Sequence, residues 1–501
     1  MARRRTAATL TRFVRRLLLT VTALATLALP VPASAGVRLK TNPKLEPRFE
    51  RSIHDYVVRC DRADSLTLNV RATDGERVRV GDRPAHGGEF AEVLSRRSGQ
   101  AVTVHVESAT RPGTYHLRCL PRGFPRWDLS LKRGVQAKGY VVTPNGRETA
   151  GYVAILDSRT TPLWWRHTSS YGPWDAKVLP GGHIGWTHYK GGPFGQLEAY
   201  GYEERTLTGS RVRRIRTDHS PTDTHDLQRL PNGHYLALTY VPREGVDLRK
   251  YGGDRESRVY DGELQELTPG GRVVWRWNSH GHIKTSETEW WEVLNGAQRG
   301  KDRDERFWDL VHINSVEPDG DDLIVSFRHV NAVYKIDRQT GKILWKLGGT
   351  KRAESLQVVD DPLGQNPFGG QHDARLWQDG TLTVFDNETT RDRPARAVRY
   401  RIDEEERTAT LVEQIDARLN MGSGFAGSAR KLPGGNWVIY WGGRPLFTEQ
   451  RAGSGESLVW ASLHHGHWGY RVVPLPESIG LSSIRRAMNR MVARTRKASW
   501  R

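Results

Sequence analysis

The sequence predicts an all-β chain, a six-bladed β-propeller preceded by a small β-sandwich. Three observations carry that prediction. Short runs rich in Val, Ile, Thr and aromatic residues alternate in the manner of strands with one buried face. Pro-Gly, Asn-Gly and Asp-Gly turns separate them. The 501 residues include 51 Gly, 25 Pro and 17 Trp, with no long apolar heptad pattern that would build a helical bundle.

Residues 1–35 read as an export signal rather than part of the fold. Arg3, Arg4, Arg5, Arg12, Arg15 and Arg16 form a basic start, Leu17 to Leu29 an apolar core, and Ala33-Ser34-Ala35 a small-residue cleavage site. The expected location is therefore outside the cytoplasm, as a secreted or extracytoplasmic protein. Removing those six arginines lowers the formal charge from +19 to +13. Such a surface attracts anions. No nucleic-acid-binding motif accompanies the charge, so nucleic acid is not an expected partner.

Residues 36–130 read as the β-sandwich. Tyr56–Cys60, Leu66–Val70, Ala101–Val106 and Thr114–Cys119 have strand patterns, with Asp74-Gly75, Gly87-Gly88 and Pro112-Gly113 as turns. Cys60 and Cys119 are the two cysteines. In an exported chain they are expected to form a disulfide joining the first and last of these strands.

Residues 139–475 read as the propeller. A turn followed by a strand recurs at Leu179-Pro180-Gly181-Gly182, Leu230-Pro231-Asn232-Gly233, Glu317-Pro318-Asp319-Gly320, Trp377-Gln378-Asp379-Gly380 and Leu432-Pro433-Gly434-Gly435. A second hairpin, often ending in Trp, lies between these copies, as in Ile336-Asp337 to Trp345. Two hairpins per unit make a four-stranded blade, and closing such units into a ring removes free sheet edges. His280 to Arg306 reads as a helical or irregular insertion, and 476–501 as a basic tail, either a short surface helix or disordered.

Three histidines precede these turns at matching places: His225 in Thr224-His225-Asp226, His312 in Val311-His312-Ile313-Asn314, and His372 in Gln371-His372-Asp373. Matching positions in successive blades lie at one radius and height, so the three imidazoles are expected to converge near the central channel. The first copy has Trp174-Asp175-Ala176 there and the last Gly427-Ser428-Ala429, so the repeat does not itself demand histidine. Asn314 and Arg328 add donors suited to an anion. Asp226 and Asp373 either orient a neighbouring imidazole or bond to turn backbone, and both readings stand. Asp309 has a comparable place before His312.

The segments HDLQRLPNGHYL, DLVHINSVEPDGDDLIVSFR, TGKILWKLGG and GQHDARLWQDGTLTVFDN resemble the arylsulfotransferase (aryl-sulfate sulfotransferase) family from about Gly139 to Pro474. The region with Cys60 and RCLPRGFP is similar to the accessory β domain of actinobacterial-type members. The resemblance implies a six-bladed propeller that moves a sulfuryl group from an aryl sulfate to a phenolic acceptor, with no nucleotide donor, cofactor or metal. It implies a ping-pong mechanism in which His372 becomes a sulfohistidine, with His225, His312, Asn314 and Arg328 around the transferring group. A neutral imidazole can attack sulfur, Arg and Asn can stabilise the sulfuryl oxygens, and a second His can carry the proton. No G-x-x-x-x-G-K-[ST] phosphate loop is present, consistent with a donor available outside the cell.

Three other readings compete. A quinone-dependent dehydrogenase propeller would share the Trp-bearing repeat, but needs clustered acids for calcium. A non-catalytic binding propeller would use the histidines as channel filling. Three histidines could also hold zinc, against which Arg328 argues.

Overall fold

The computed structural model describes residues 36–60, 65–146, 151–168, 172–189, 201–218, 222–391, 393–417, 422–464 and 466–498. The expected export signal, 1–35, lies outside them. The described chain is all-β apart from short helical pieces and one longer helix after the last sheet.

Two sheets make up its first part. One contains Arg38–Asn42, Ser65–Arg71 and Glu89–Ser95; the other is built on Asp55–Arg59, Gly113–Leu120, Ala101–Glu107 and Arg77–Val80. Period-two alternation turns Leu66, Leu68 and Val70 to the same core as Val102, Val104 and Val106. Burying one such side chain contributes about 1.5–3 kcal/mol. Cys60 and Cys119 are disulfide-bonded, and Val58 pairs with Cys119 across parallel strands.

Among the described residues six further sheets follow, each containing four antiparallel strands in up-and-down order. The first has Gly139–Val142, Tyr152–Asp157 and Pro162–His167, and the second Gly172–Leu179, His183–Tyr189, Tyr202–Thr206 and Arg211–Ile215. The third runs from Thr222–Arg229 to Val273–Asn278, the fourth from Ile313–Asp319 to Ile343–Gly348, the fifth from His372–Leu376 to Thr408–Asp416, and the sixth from Ser428–Lys431 to Ser457–Leu463. The hairpin turns fall where the repeat placed them. Val472–Pro474 pairs with Gly139–Val142 to complete the first sheet, so the end of the series closes on its beginning. First strands of successive sheets also pack side by side.

Trp127–Leu131 adds a strand to the outer edge of the sixth sheet. Residues 280–306 form the irregular insertion, with one helix at Trp291–Gln298. The basic tail is a helix, Leu481–Ala498. Ile484 and Met488 sink into the core of the first sheet, while Arg485 pairs with Asp55 at 2.7 Å. Its apolar positions, although few, are enough to bracket the two parts of the chain together.

Candidate active site

The first strands of the second, third, fourth and fifth sheets each carry a register shift: between Trp174 and Lys177, Thr222 and Leu227, Ile313 and Ser315, and His372 and Arg375. A bulge bends a strand and re-aims its side chains. Asp175, His312 and Asp373 lie in the left-handed region there, with φ of 43°, 46° and 57°. Matching bulges in neighbouring sheets turn His225, His312 and His372 inward together.

The three histidines do converge. The rings of His225 and His312 are 4.8 Å apart, and Tyr470 stands 5.7 Å from His225 and 6.5 Å from His372. All three imidazoles are at most 3 % exposed. Trp174, at the corresponding place in the second sheet, stacks on Tyr470 at 4.7 Å. Arg328 lies over the Trp290 ring at 3.9 Å and donates to the Gly424 carbonyl at 2.8 Å. Its Nε is buried with no acceptor among the described residues. A desolvated N–H without an acceptor carries a cost that a bound anion would relieve. Asn314 donates its amide to the Gln371 carbonyl at 2.8 Å, and its buried Oδ1 has no donor among the described residues.

Each imidazole is oriented through Nδ1, but the partners differ. His225 Nδ1 lies 2.8 Å from the Asp223 carboxylate, and His312 Nδ1 2.5 Å from that of Asp309. His372 Nδ1 instead meets two neutral acceptors, Asn387 Oδ1 at 2.7 Å and the Gly370 carbonyl at 3.1 Å. The Asn387 amide is not free to flip, because its Nδ2 donates to the Ala426 carbonyl at 2.9 Å and Ser423 Oγ at 3.1 Å. Two acceptors on Nδ1 place the proton there and leave a lone pair on Nε2. No hydrogen bond among the described residues occupies that Nε2. Gly370 has φ +76°, and a Cβ there would meet Trp290 at 2.6 Å, so glycine is required for this approach.

Burial, with Arg328 beside it, holds His372 well below the ordinary imidazole value. Burial followed by His225 and Arg328 does the same to His312. Arg328 is lowered by burial to about 10, Asp309 opposing, and stays charged near neutrality.

Sequence reasoning missed His329, stacked on His312 at 4.7 Å and on Trp290 at 5.0 Å. It also missed Asp223, Asn387, Trp290 and Tyr470. A usable signal was present for one of them: Asp223 precedes His225 by two residues much as Asp309 precedes His312 by three. Neither Asp226 nor Asp373 orients an imidazole, and the backbone N–H that Asp226 accepts, from Val316 at 2.9 Å, belongs to the neighbouring sheet and not to its own turn. They enter a buried charge network, in which Asp226 pairs with Lys177 and Arg375 at 2.6 Å each and Asp373 with Arg430 at 2.6 Å. Arg471 lies among them, donating to the carbonyls of His225 at 2.9 Å and Asn314 at 2.8 Å.

Asp309, His312 and His329 are the one group of potential metal ligands among the described residues, with donor atoms within 4.8 Å. Nδ1 of both histidines is already bonded to Asp309, and Arg328 Nη1 lies 3.1 Å from His329 Nε2. That geometry suits a proton-holding cluster beside a fixed cation better than a metal centre.

A family model described as Arylsulfotransferase (ASST) matches residues 132–471. No curated protein matches the chain. Among solved structures, a protein of unknown function from Bacteroides caccae is 13 % identical with a TM-score of 0.40, over 68 % of this chain and all of that one. The Cps50 (Swd1) β-propeller domain from Myceliophteria thermophila is 12 % identical with a TM-score of 0.36, over 68 % of this chain and 89 % of that one. Virginiamycin B lyase from Staphylococcus aureus, in a catalytically inactive form with quinupristin, is 8 % identical with a TM-score of 0.35, over 69 % of this chain and 98 % of that one. Likenesses this slight carry no argument about the chemistry.

Proposed function

The chain belongs to the arylsulfotransferase family, and from that premise we propose that it transfers a sulfuryl group from an aryl sulfate to a phenol by a ping-pong mechanism through a sulfohistidine at His372. The six sheets are then the blades of a six-bladed propeller spanning 139–475, preceded by a β-sandwich at 36–130 of the actinobacterial type and followed by the basic tail at 476–501. The export signal at 1–35 would place it outside the cytoplasm, where an aryl sulfate rather than a nucleotide donor is available.

The observation that carries this reading is the asymmetry of the Nδ1 partners. A carboxylate behind His225 and His312 supplies a counter-charge to a proton passing through either ring, so these two suit proton transfer. The amide and carbonyl behind His372 bring no such charge, so burial and Arg328 keep that ring neutral, which suits attack. His372 Nε2 forms a bond to sulfur as the aryl C–O–S ester loses its S–O bond. The departing phenolate takes a proton from the His225–His312 pair. In the second half the acceptor phenol returns that proton to the pair, its oxygen bonds to sulfur, and the N–S bond breaks to restore His372. Arg328, through the unsatisfied Nε–H, stabilises the sulfuryl oxygens as charge shifts between leaving and attacking groups. Asn314 has less to give, since its amide already serves the Gln371 carbonyl.

The test is to incubate the protein with radiosulfur-labelled 4-nitrophenyl sulfate without acceptor. An acid-labile label on the peptide containing His372, discharged by phenol, is expected. Transfer without any labelled histidine would eliminate the covalent step, and no release of 4-nitrophenol would eliminate the reaction class.

A further inference from the structure

Between the fifth and sixth sheets lies a cavity of about 240 Å³ that the proposed chemistry does not use. Its walls include Leu446, Thr448 and Gln450 from one strand of the sixth sheet, with Ser457, Trp441 and Trp460 beside them. The first three share a face because they alternate along Leu446–Gln450. Trp441 is fixed by donating its indole N–H to Thr448 Oγ1 at 3.0 Å. Gln450 is 2 % exposed, and its Oε1 has no donor among the described residues. A buried acceptor of this kind calls for a donor. A cavity of about 150 Å³ lined by apolar side chains is enough to bind benzene.

The far wall is shared with the catalytic centre. Ser423 lines the cavity, and its Oγ accepts from Asn387 Nδ2, the amide that aims Oδ1 at His372. The neighbouring Gly424 carbonyl accepts from Arg328. A ligand in the cavity thus presses on the segment that orients both the nucleophile and the anion-binding guanidinium.

We infer that this cavity is a second binding site for a small phenol, separate from the acceptor position. The ring lies against Trp441 and Trp460 and the hydroxyl donates to Gln450 Oε1. Occupancy alters turnover through Ser423 and Asn387. The binding claim stands on the cavity alone, while the effect on turnover rests on the proposed transferase reading.

Phenol itself is the probe, titrated calorimetrically into the full-length protein and into His372→Ala. Two classes of site are expected in both. Ser457→Trp, which fills the cavity, should abolish one class, and Gln450→Leu should weaken it about tenfold, the scale of one hydrogen bond. The dependence of kcat on phenol concentration should flatten in the same two variants, with turnover at low phenol unchanged in Gln450→Leu. Unaltered binding in both folded variants would overturn the inference. A protein that binds phenol in this cavity without transferring sulfate would instead overturn the transferase reading and leave the site standing, so the two failures are distinguishable.

Discussion

The imidazoles of His225, His312 and His372 lie against a charge network built on Arg471, and the two groups of side chains are completed differently. In the network the acids meet bases throughout: Asp175, Asp226, Asp373 and Glu317 face Lys177, Arg375, Arg430 and Arg471. Burial alone would raise Asp226, yet Arg375, Lys177 and Arg471 outweigh it and hold the group well below its usual value. Among the histidines Nδ1 is held, while among the described residues His372 Nε2 has no partner and Arg328 keeps an N–H unsatisfied. Paired charges make a framework, and incompletely paired ones make a site. Sequence neighbours are divided between the two, since His225 and His372 belong to the site and Asp226 and Asp373 to the framework.

The sharpest way to test that division is to remove one member from each group. His372→Ala should lower transfer from 4-nitrophenyl sulfate to phenol by about 10⁴–10⁶-fold, the range for loss of a covalent nucleophile. Its thermal or denaturant midpoint should stay close to that of the parent. Normal turnover would remove His372 from the chemistry. Arg471→Met should show the opposite pattern of cause, costing about 3–5 kcal/mol of stability by leaving Asp175, Asp226 and Asp373 without a shared cation. Urea unfolding measures it, and an unchanged midpoint would mean that the network is not what fastens the closing segment.

Much of this was legible before any coordinates. The hairpin turns, the convergence of three histidines and the Cys60–Cys119 pairing each followed from spacing or composition, because turn chemistry and strand period are local properties. The destinations of Asp226 and Asp373 were not legible. Regular alternation would put neighbours on opposite faces, but a bulge with a left-handed residue decides where each one points, and only packing against adjacent sheets fixes the bulge. Asn387 and Tyr470 were hidden for a related reason. Their contacts to His372 and His225 span 15 and 245 residues, and nothing near them in the chain resembles a catalytic motif.

Arg328 tests the boundary from the side of the site. Arg328→Met removes a buried cation whose Nε has no acceptor among the described residues, so the framework loses little, while kcat should fall about 10²–10³-fold, as for loss of an oxyanion donor. Steady-state kinetics with 4-nitrophenyl sulfate read this directly. A change confined to KM would make Arg328 a ground-state binding group.

The smallest expected effect is also the most discriminating. Asn387→Asp exchanges a neutral Nδ1 partner for a carboxylate and makes His372 resemble His225. The new charge favours imidazolium, so the His372 pKa rises. Attack needs the neutral ring, and the acid limb of the pH–rate profile should therefore move to higher pH, with activity recovered on the alkaline side. Stability should respond in the opposite sense. In the parent, His372 and His312 are held well below the ordinary value, which is near 6.5 in the unfolded chain. The unfolded state then binds more protons as pH falls through that value, and stability declines with it. Raising the folded pKa of His372 narrows this difference, so the acid-side loss of stability should be smaller in Asn387→Asp than in the parent. Unfolding midpoints between neutral and mildly acidic pH supply the measurement. An unshifted acid limb would mean that His372 is not the group that must be neutral, and the distinction between amide-backed and carboxylate-backed histidines would lose its chemical meaning.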